Sequence, residues 1–145
     1  MAAKRTAEAV WDHDLLKGNG RVKGLSGGLS ETPLTWAART ETSGGKTSPE
    51  ELLAAAHAGC YSMAFAGALA RGGTPPERLH VTATVTFDKV AEAWKVVSSE
   101  LTVKGKVAGI TAEKFAATAK AAEAGCPISN AIRGNVAITL TASLE

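Results

Sequence analysis

The chain has 145 residues, 45% hydrophobic and 21% charged, and its formal net charge is +2 at pH 7. These totals suit an ordinary core, so we expect one domain over residues 1–145. Its lysines and arginines are scattered, which argues against nucleic-acid binding. No apolar run follows the charges of the first twenty residues, so we expect no secretion signal and a cytoplasmic protein.

The first forty residues show the alternation typical of strands. Residues 5–11 predict a first strand, the Gly18-Asn19-Gly20 run predicts a turn, and residues 21–25 predict the returning strand of a hairpin. Residues 34–40 predict a third strand, which ends at Arg39. The glycine pair within residues 41–47 predicts a flexible connection to the next element. A solvated charge is the ordinary interpretation of Arg39 at such a strand end.

A long helix follows from about residue 49 to residue 70. Ser48 can cap it, Pro49 suits its first position, and Glu51 completes a capping box. No charged residue lies between positions 52 and 70, so we expect this helix to be buried. Its length would span a bilayer, but its many alanines and glycines favour burial inside a folded assembly and no membrane partner. Helical spacing predicts an apolar ridge of Leu53, Ala56, Cys60, Met63, Ala64 and Gly67.

The second half of the chain combines strands and helices. Residues 79–90 and 94–107 alternate strongly and predict a long antiparallel hairpin. Residues 111–124 predict a helix with Phe115, Ala119 and Ala122 inward and Lys114 and Lys120 outward. Residues 135–144 predict a last strand. Helices segregated against antiparallel strands give an α+β class.

The two cysteines lie in different local settings. Gly125 can end the second helix and Pro127 can begin a short new one, which places Cys126 at its N-cap, where free amides favour a thiolate. Cys60 lies well inside the long helix, where burial alone raises a thiol pKa and makes it inert. A reactive Cys60 therefore needs a cation near it, and Arg39 and His57 are the nearest candidates in sequence.

Several alternatives remain open at this point. Both cysteines could be inert core thiols, and His57 is either a base or, more commonly, a packed and hydrogen-bonded histidine. A metal site of Cys60, Cys126 and His57 is disfavoured because there are only two thiols and no CxxC pair. We expect no metal and no cofactor. A structural disulfide beside a small-molecule pocket is disfavoured without secretion.

Two motifs resemble one known family. The run GKTSPEELLAAAHAGCYSM at residues 45–63 resembles the active-site helix of the OsmC/Ohr peroxidases, on the osmotically inducible OsmC side. The CPIS run at residues 126–129 is similar to the family's resolving-cysteine motif. Similarity extends over the whole chain and includes Trp11 and the SGGL run at residues 26–29. Ser48 stands where many relatives have Asn, and both residues cap helices.

The resemblance implies an OsmC-like fold, with antiparallel sheets wrapped around two central helices in an intertwined homodimer. It also implies a thiol-dependent peroxidase for organic hydroperoxides. Cys60 would become a sulfenic acid and Cys126 would condense with it to a disulfide. Arg39 would stabilise the thiolate and Glu50 would hold the guanidinium. A dithiol, such as a lipoylated protein, would supply electrons. Trp36, Met63 and Ile128 are candidates to line the pocket.

The spacing of the site residues raises a geometric problem. Ten residues separate Glu50 from Cys60, which is ~15 Å on one straight helix. Either the helix unwinds at its start or Glu50 comes from a second chain. We predict the latter: a homodimer with two shared active sites, each completed by Arg39 and Glu50 of the opposite subunit. The alternative function is a redox sensor or binding protein whose cysteine pair oxidises without turnover.

Overall fold

The computed structural model describes all 145 residues. The chain divides into two compact units, residues 1–52 and residues 53–145. The single domain expected over residues 1–145 stays a prediction.

The first unit contains a three-stranded antiparallel sheet. Its strands are β1 (Ala7–Asp12), β2 (Asn19–Gly24) and β3 (Thr32–Leu34), in that spatial order. The predicted hairpin is confirmed, but its turn lies earlier than predicted, because Gly20 already pairs with Trp11. A Cβ on Gly20 would lie 2.6 Å from the Trp11 ring, so this glycine serves close packing rather than a turn.

A short helix, α1 (Trp36–Thr40), replaces the strand predicted for residues 34–40. The Thr35 hydroxyl accepts a hydrogen bond from the Ala38 N–H at 3.1 Å and caps this helix. The prediction was wrong because so short a segment fits the two-residue period of a strand as well as the 3.6-residue period of a helix. The N-cap at Thr35 favours the helix. Arg39 consequently lies in the last turn of a helix rather than at a strand end.

The long helix α2 (Pro49–Arg71) is confirmed. At its start the Ser48 hydroxyl accepts a hydrogen bond from the Glu51 N–H at 3.1 Å. The Glu51 carboxylate accepts one from the Thr47 hydroxyl at 2.6 Å. At its end the chain turns at Gly73, whose φ of 86° is accessible mainly to glycine.

The buried face of α2 differs from the predicted ridge. The buried row consists of His57, Tyr61, Phe65 and Leu69, four residues apart, whereas Met63 is 72% exposed. Bulky side chains make the main core contact, and of the predicted ridge only Cys60 and Ala64 pack beside them. Only 22% of the most apolar part of α2 is buried within the chain. By length and composition α2 could also cross a membrane, a weak test that core helices pass as well.

The second unit contains a mixed sheet covered by two helices. Strands β4 (Arg78–Val90) and β5 (Ala93–Lys106) form the predicted antiparallel hairpin. Helices α3 (Ala112–Gly125) and α4 (Pro127–Ile132) lead to strand β6 (Ala137–Leu144). The sheet order is β4-β5-β6, and β6 runs parallel to β5 rather than antiparallel. The crossover through α3 and α4 makes this possible, because a tight turn cannot join parallel strands.

The core of this unit packs α2 and α3 against the sheet. The rings of Phe65 and Phe115 lie 5.0 Å apart, and the Tyr61 hydroxyl donates to the Ala119 carbonyl at 3.1 Å. A Cβ on Gly105 would lie 2.5 Å from the Phe115 ring, so the glycine in β5 makes room for that ring. The predicted inward and outward residues of α3 are all confirmed. This packing brings the middle of α2 to the start of α4.

Candidate active site

Cys126 lies at the junction of α3 and α4, as predicted. It is both the C-cap of α3 and the N-cap of α4, and Pro127 takes the first helical position. Its sulfur is fully buried and accepts hydrogen bonds from the amide and hydroxyl of Ser129 and from the amide of Ile128. The local backbone therefore presents several donors to one thiol.

Cys60 reaches the same place from α2. Its partly exposed thiol donates to the Cys126 sulfur and accepts a hydrogen bond from the Ile128 N–H. Neither cysteine is in a disulfide. The two cysteines, remote in sequence, are neighbours that can exchange a proton or form a bond.

The two thiols have opposite pKa shifts. Burial raises the pKa of Cys60, the adjacent Cys126 raises it further, and the Ile128 amide opposes them. Burial also disfavours the Cys126 thiolate, but hydrogen bonds from the Ser129 amide and hydroxyl, the Cys60 thiol and the Ile128 amide together outweigh it, so the pKa of Cys126 is lowered. Within this unit the hydrogen bonds therefore favour a thiolate at Cys126 over one at Cys60. A Cys60 thiolate requires a further cation, as the sequence indicates.

Arg39 and Glu50 form a bidentate pair in the first unit. The Arg39 Nε lies 3.1 Å from both Glu50 carboxylate oxygens, and its Nη2 lies 2.8 Å from Oε1. The Glu50 side chain is 8% exposed and that of Arg39 is 31% exposed. The guanidinium also lies over the Trp36 ring, 5.9 Å from its centroid. A charge-assisted, bidentate pair of this kind fixes the plane of the guanidinium.

A small cavity adjoins this pair. Its volume is about 190 Å³, and its walls are mostly apolar. Of the three candidate pocket residues, Trp36 lines it, Met63 is exposed on α2, and Ile128 packs against the core of the second unit. The cavity can hold a small apolar group beside a guanidinium. It is lined by Trp11, Leu15, Leu34, Thr35, Trp36, Arg39 and Pro49.

His57 is fully buried and hydrogen-bonded at both ring nitrogens. Its Nδ1 lies 2.7 Å from Ser99 Oγ and its Nε2 lies 2.8 Å from Ser129 Oγ. Burial is the main cause that lowers the pKa of His57. The interpretation of a packed, hydrogen-bonded histidine is confirmed. The sequence did not single out Ser99, although the alternation of β5 places it on the same face as Leu101 and Val103.

Comparison with known proteins identifies the family. A profile of the family described as OsmC-like protein matches residues 42–141. The chain belongs to this family. It is 35% identical to the peroxiredoxin OsmC of Escherichia coli over 138 residues, which are 95% of this chain and 96% of that protein. It is also 35% identical over 96 residues to the organic hydroperoxide resistance protein OhrA of Bacillus subtilis, covering 65% of each chain.

A solved structure confirms the predicted fold class. An organic hydroperoxide resistance protein OsmC from Legionella pneumophila superposes with a TM-score of 0.74 at 28% identity. The match covers 98% of this chain and 99% of that one. The α+β, OsmC-like class is therefore confirmed, and the intertwined homodimer stays a prediction.

Proposed function

We propose that this member of the OsmC-like family is a thiol-dependent peroxidase that reduces organic hydroperoxides. One observation carries the proposal: Cys60 and Cys126 are hydrogen-bonding neighbours, one partly exposed and the other buried at a helix N-cap. This arrangement suits a sulfenic acid and a resolving thiol. Relatives named as a peroxiredoxin and as an organic hydroperoxide resistance protein support it.

The first half of the cycle oxidises Cys60. Its thiolate attacks the terminal oxygen of the hydroperoxide, the O–O bond breaks, and the organic fragment leaves as an alcohol after taking one proton. Cys60 becomes a sulfenic acid, a two-electron oxidation matched by reduction of the peroxide. Arg39 stabilises the thiolate and polarises the peroxide, and Glu50 orients the guanidinium. The apolar cavity beside Arg39 suits the organic part of such a substrate.

The second half closes and reopens a disulfide. The Cys126 thiolate attacks the sulfenic sulfur of Cys60, an S–S bond forms, and the hydroxide that leaves takes one proton from solvent to become water. An external dithiol then reduces the disulfide by exchange and is itself oxidised. We propose a dithiol reductant such as a lipoylated protein, and a cytoplasmic location, where thiols are kept reduced.

Turnover separates this proposal from a redox sensor. With excess cumene hydroperoxide and dithiothreitol, the protein should consume many equivalents of peroxide, whereas a sensor would stop at one. Without reductant, Cys126→Ser should still consume one equivalent of peroxide quickly as Cys60 becomes a sulfenic acid. A second, slower equivalent should then overoxidise Cys60 to sulfinic acid, which mass spectrometry should find instead of a disulfide. A variant whose Cys60 resists overoxidation as well as that of the wild type, or a wild type that stops at one equivalent, would contradict the assignment.

We further propose that Arg39 and Glu50 act on Cys60 of the opposite subunit. Helix α2 is continuous, so Glu50 and Cys60 lie ~15 Å apart along it. Most residues in the apolar part of α2 are not fully buried within the chain, which supports a second copy as their cover. We expect a dimer at micromolar concentration by light scattering, and a clean monomer would overturn the proposal.

Subunit mixing tests which chain supplies Arg39. Cys60→Ser and Arg39→Ala homodimers each lack a complete site. If Arg39 acts across the interface, a mixed dimer regains one intact site, and random exchange restores roughly a quarter of wild-type activity. If Arg39 acts within its own chain, mixing restores nothing. Each variant mixed with itself is the matched control.

A further inference from the structure

A buried hydrogen-bonded chain leads from the sheet to the resolving cysteine. It runs from Ser99 on β5 through His57 on α2 and Ser129 on α4 to the Cys126 sulfur. All four side chains are fully buried, so water does not compete for their hydrogen bonds. The proposed peroxidase cycle uses Cys126 but gives no role to His57.

Neutral His57 makes this chain directional. A neutral imidazole has one donor and one acceptor nitrogen, and a serine hydroxyl has one hydrogen to donate. In one direction Ser99 donates to Nδ1, Nε2–H donates to Ser129, and the Ser129 hydroxyl donates to the Cys126 sulfur. In the reverse direction the Ser129 hydroxyl donates to Nε2, and only the Cys126 S–H can donate to Ser129. The first direction favours a Cys126 thiolate and the second a thiol.

The charges around His57 do not remove this neutrality. Glu123 on α3 raises the pKa of His57 and Arg133, just after α4, lowers it, but burial has the largest effect. Arg133 Nη2 lies 2.7 Å from Glu123 Oε1, and the opposite charges of this pair shift the pKa of His57 in opposite directions. The other titratable groups in this core with a perturbed pKa are the Tyr61 phenol, whose pKa is raised mainly by burial, and the two thiols.

We infer that His57 is a positioning residue for the disulfide-forming half of the cycle: through Ser129 it directs a hydroxyl hydrogen at the Cys126 sulfur and prepares that sulfur to attack. The inference rests on the proposed function, since it assigns a role within the same two-cysteine site. Disulfide formation removes the negative charge from Cys126, and the donors and acceptors along the hydrogen-bonded chain can then reverse. When a dithiol reopens the disulfide at the more exposed Cys60, the same hydrogen bond stabilises Cys126 as the leaving thiolate.

The test measures the Cys126 thiolate without any turnover. In a Cys60→Ser background Cys126 is the only thiol, so ultraviolet absorbance of the thiolate against pH gives its apparent pKa. Ser129→Ala and His57→Gln should each raise this pKa by ~0.5–1 unit, because the first removes the hydroxyl that donates to Cys126 and the second removes the imidazole that orients it. Ser62→Ala is the matched control, since Ser62 on the same helix donates only to the Gly59 carbonyl at 2.8 Å.

A double variant distinguishes positioning from a general structural effect. If His57 acts only through Ser129, His57→Gln should add little to the shift of Ser129→Ala. Additive shifts, or an unchanged pKa in either single variant with a folded circular dichroism spectrum, would overturn the inference. With Cys60 restored, both single variants should also form the disulfide more slowly after the first oxidation, as followed by quenched mass spectrometry. A protein that fails the turnover test would still give these pKa values, so the two proposals fail separately.

Discussion

Cys60→Ser should reduce hydroperoxide consumption to the uncatalysed background. A serine hydroxyl is nearly the same size but is a far weaker nucleophile, and its oxygen cannot be oxidised to a sulfenic acid equivalent. The loss should therefore be complete rather than partial. The measurement is consumption of cumene hydroperoxide with dithiothreitol in excess, with wild type and variant at equal concentration.

The fold should survive this substitution. Cys60 is only partly buried, and serine can keep its hydrogen bonds to Ile128 and Cys126. The midpoint temperature of thermal unfolding of the variant should therefore lie close to that of wild type. Ser62→Ala on the same helix serves as the active control. Residual activity near the wild-type level would remove Cys60 from its role and favour Cys126, whose pKa is the lowered one, as the thiol that meets peroxide.

Arg39→Lys should slow the first oxidation of Cys60 by ~10–100-fold at neutral pH. An ammonium cannot reproduce the planar fork that Nε and Nη2 present to Glu50, so the cation is no longer oriented. The reactive form is the thiolate, and burial raises the Cys60 pKa. Loss of the oriented cation should therefore move the rise of the oxidation rate to higher pH. Stopped-flow oxidation rates against pH measure both effects.

An exposed arginine of the same unit provides the matched control for Arg39. Arg21 Nη1 lies 3.5 Å from Asp12 Oδ2, and its Nε lies 3.7 Å from Glu31 Oε2. Both ion pairs are longer and more exposed than the pair of Arg39 with Glu50. Arg21→Lys should leave the oxidation rate and its pH dependence unchanged, because exposed ion pairs contribute little. Equal rates for wild type and Arg39→Lys across the pH range would reject the role given to the guanidinium.

Local signals predicted most elements of the fold. The Ser48 cap, Gly125 at the last position of α3 and the proline at position 127 mark helix boundaries that depend on the backbone of a few adjacent residues. Strict alternation predicted β4, and helical spacing predicted the inward face of α3. The failures lie where a local pattern is short or ambiguous. Residues 34–40 fit the period of a strand and that of a helix. Gly20 was predicted to lie in a turn, but it allows close packing against Trp11.

Other features depended on contacts that no local pattern encodes. The face of α2 that is buried depends on which rings fit against α3 and β5. The predicted ridge therefore missed Tyr61 and Phe65, although Cys60 and Ala64 do pack against the core. The parallel pairing of β6 depends on the path of the crossover through α3 and α4. A strand carries the same side-chain alternation whether its neighbour is parallel or antiparallel.

The sequence by itself determined the α+β class, the ends of α2 and α3, the N-cap position of Cys126 and, through its motifs, the family. These follow from interactions within a few residues or from residue identity. Only the tertiary structure decided that Cys60 donates to Cys126, that Arg39 binds Glu50 through two nitrogens, and that His57 lies between two buried serines. Side-chain hydrogen bonds across long sequence separations require elements to pack at one distance and orientation, and packing is set by the whole core.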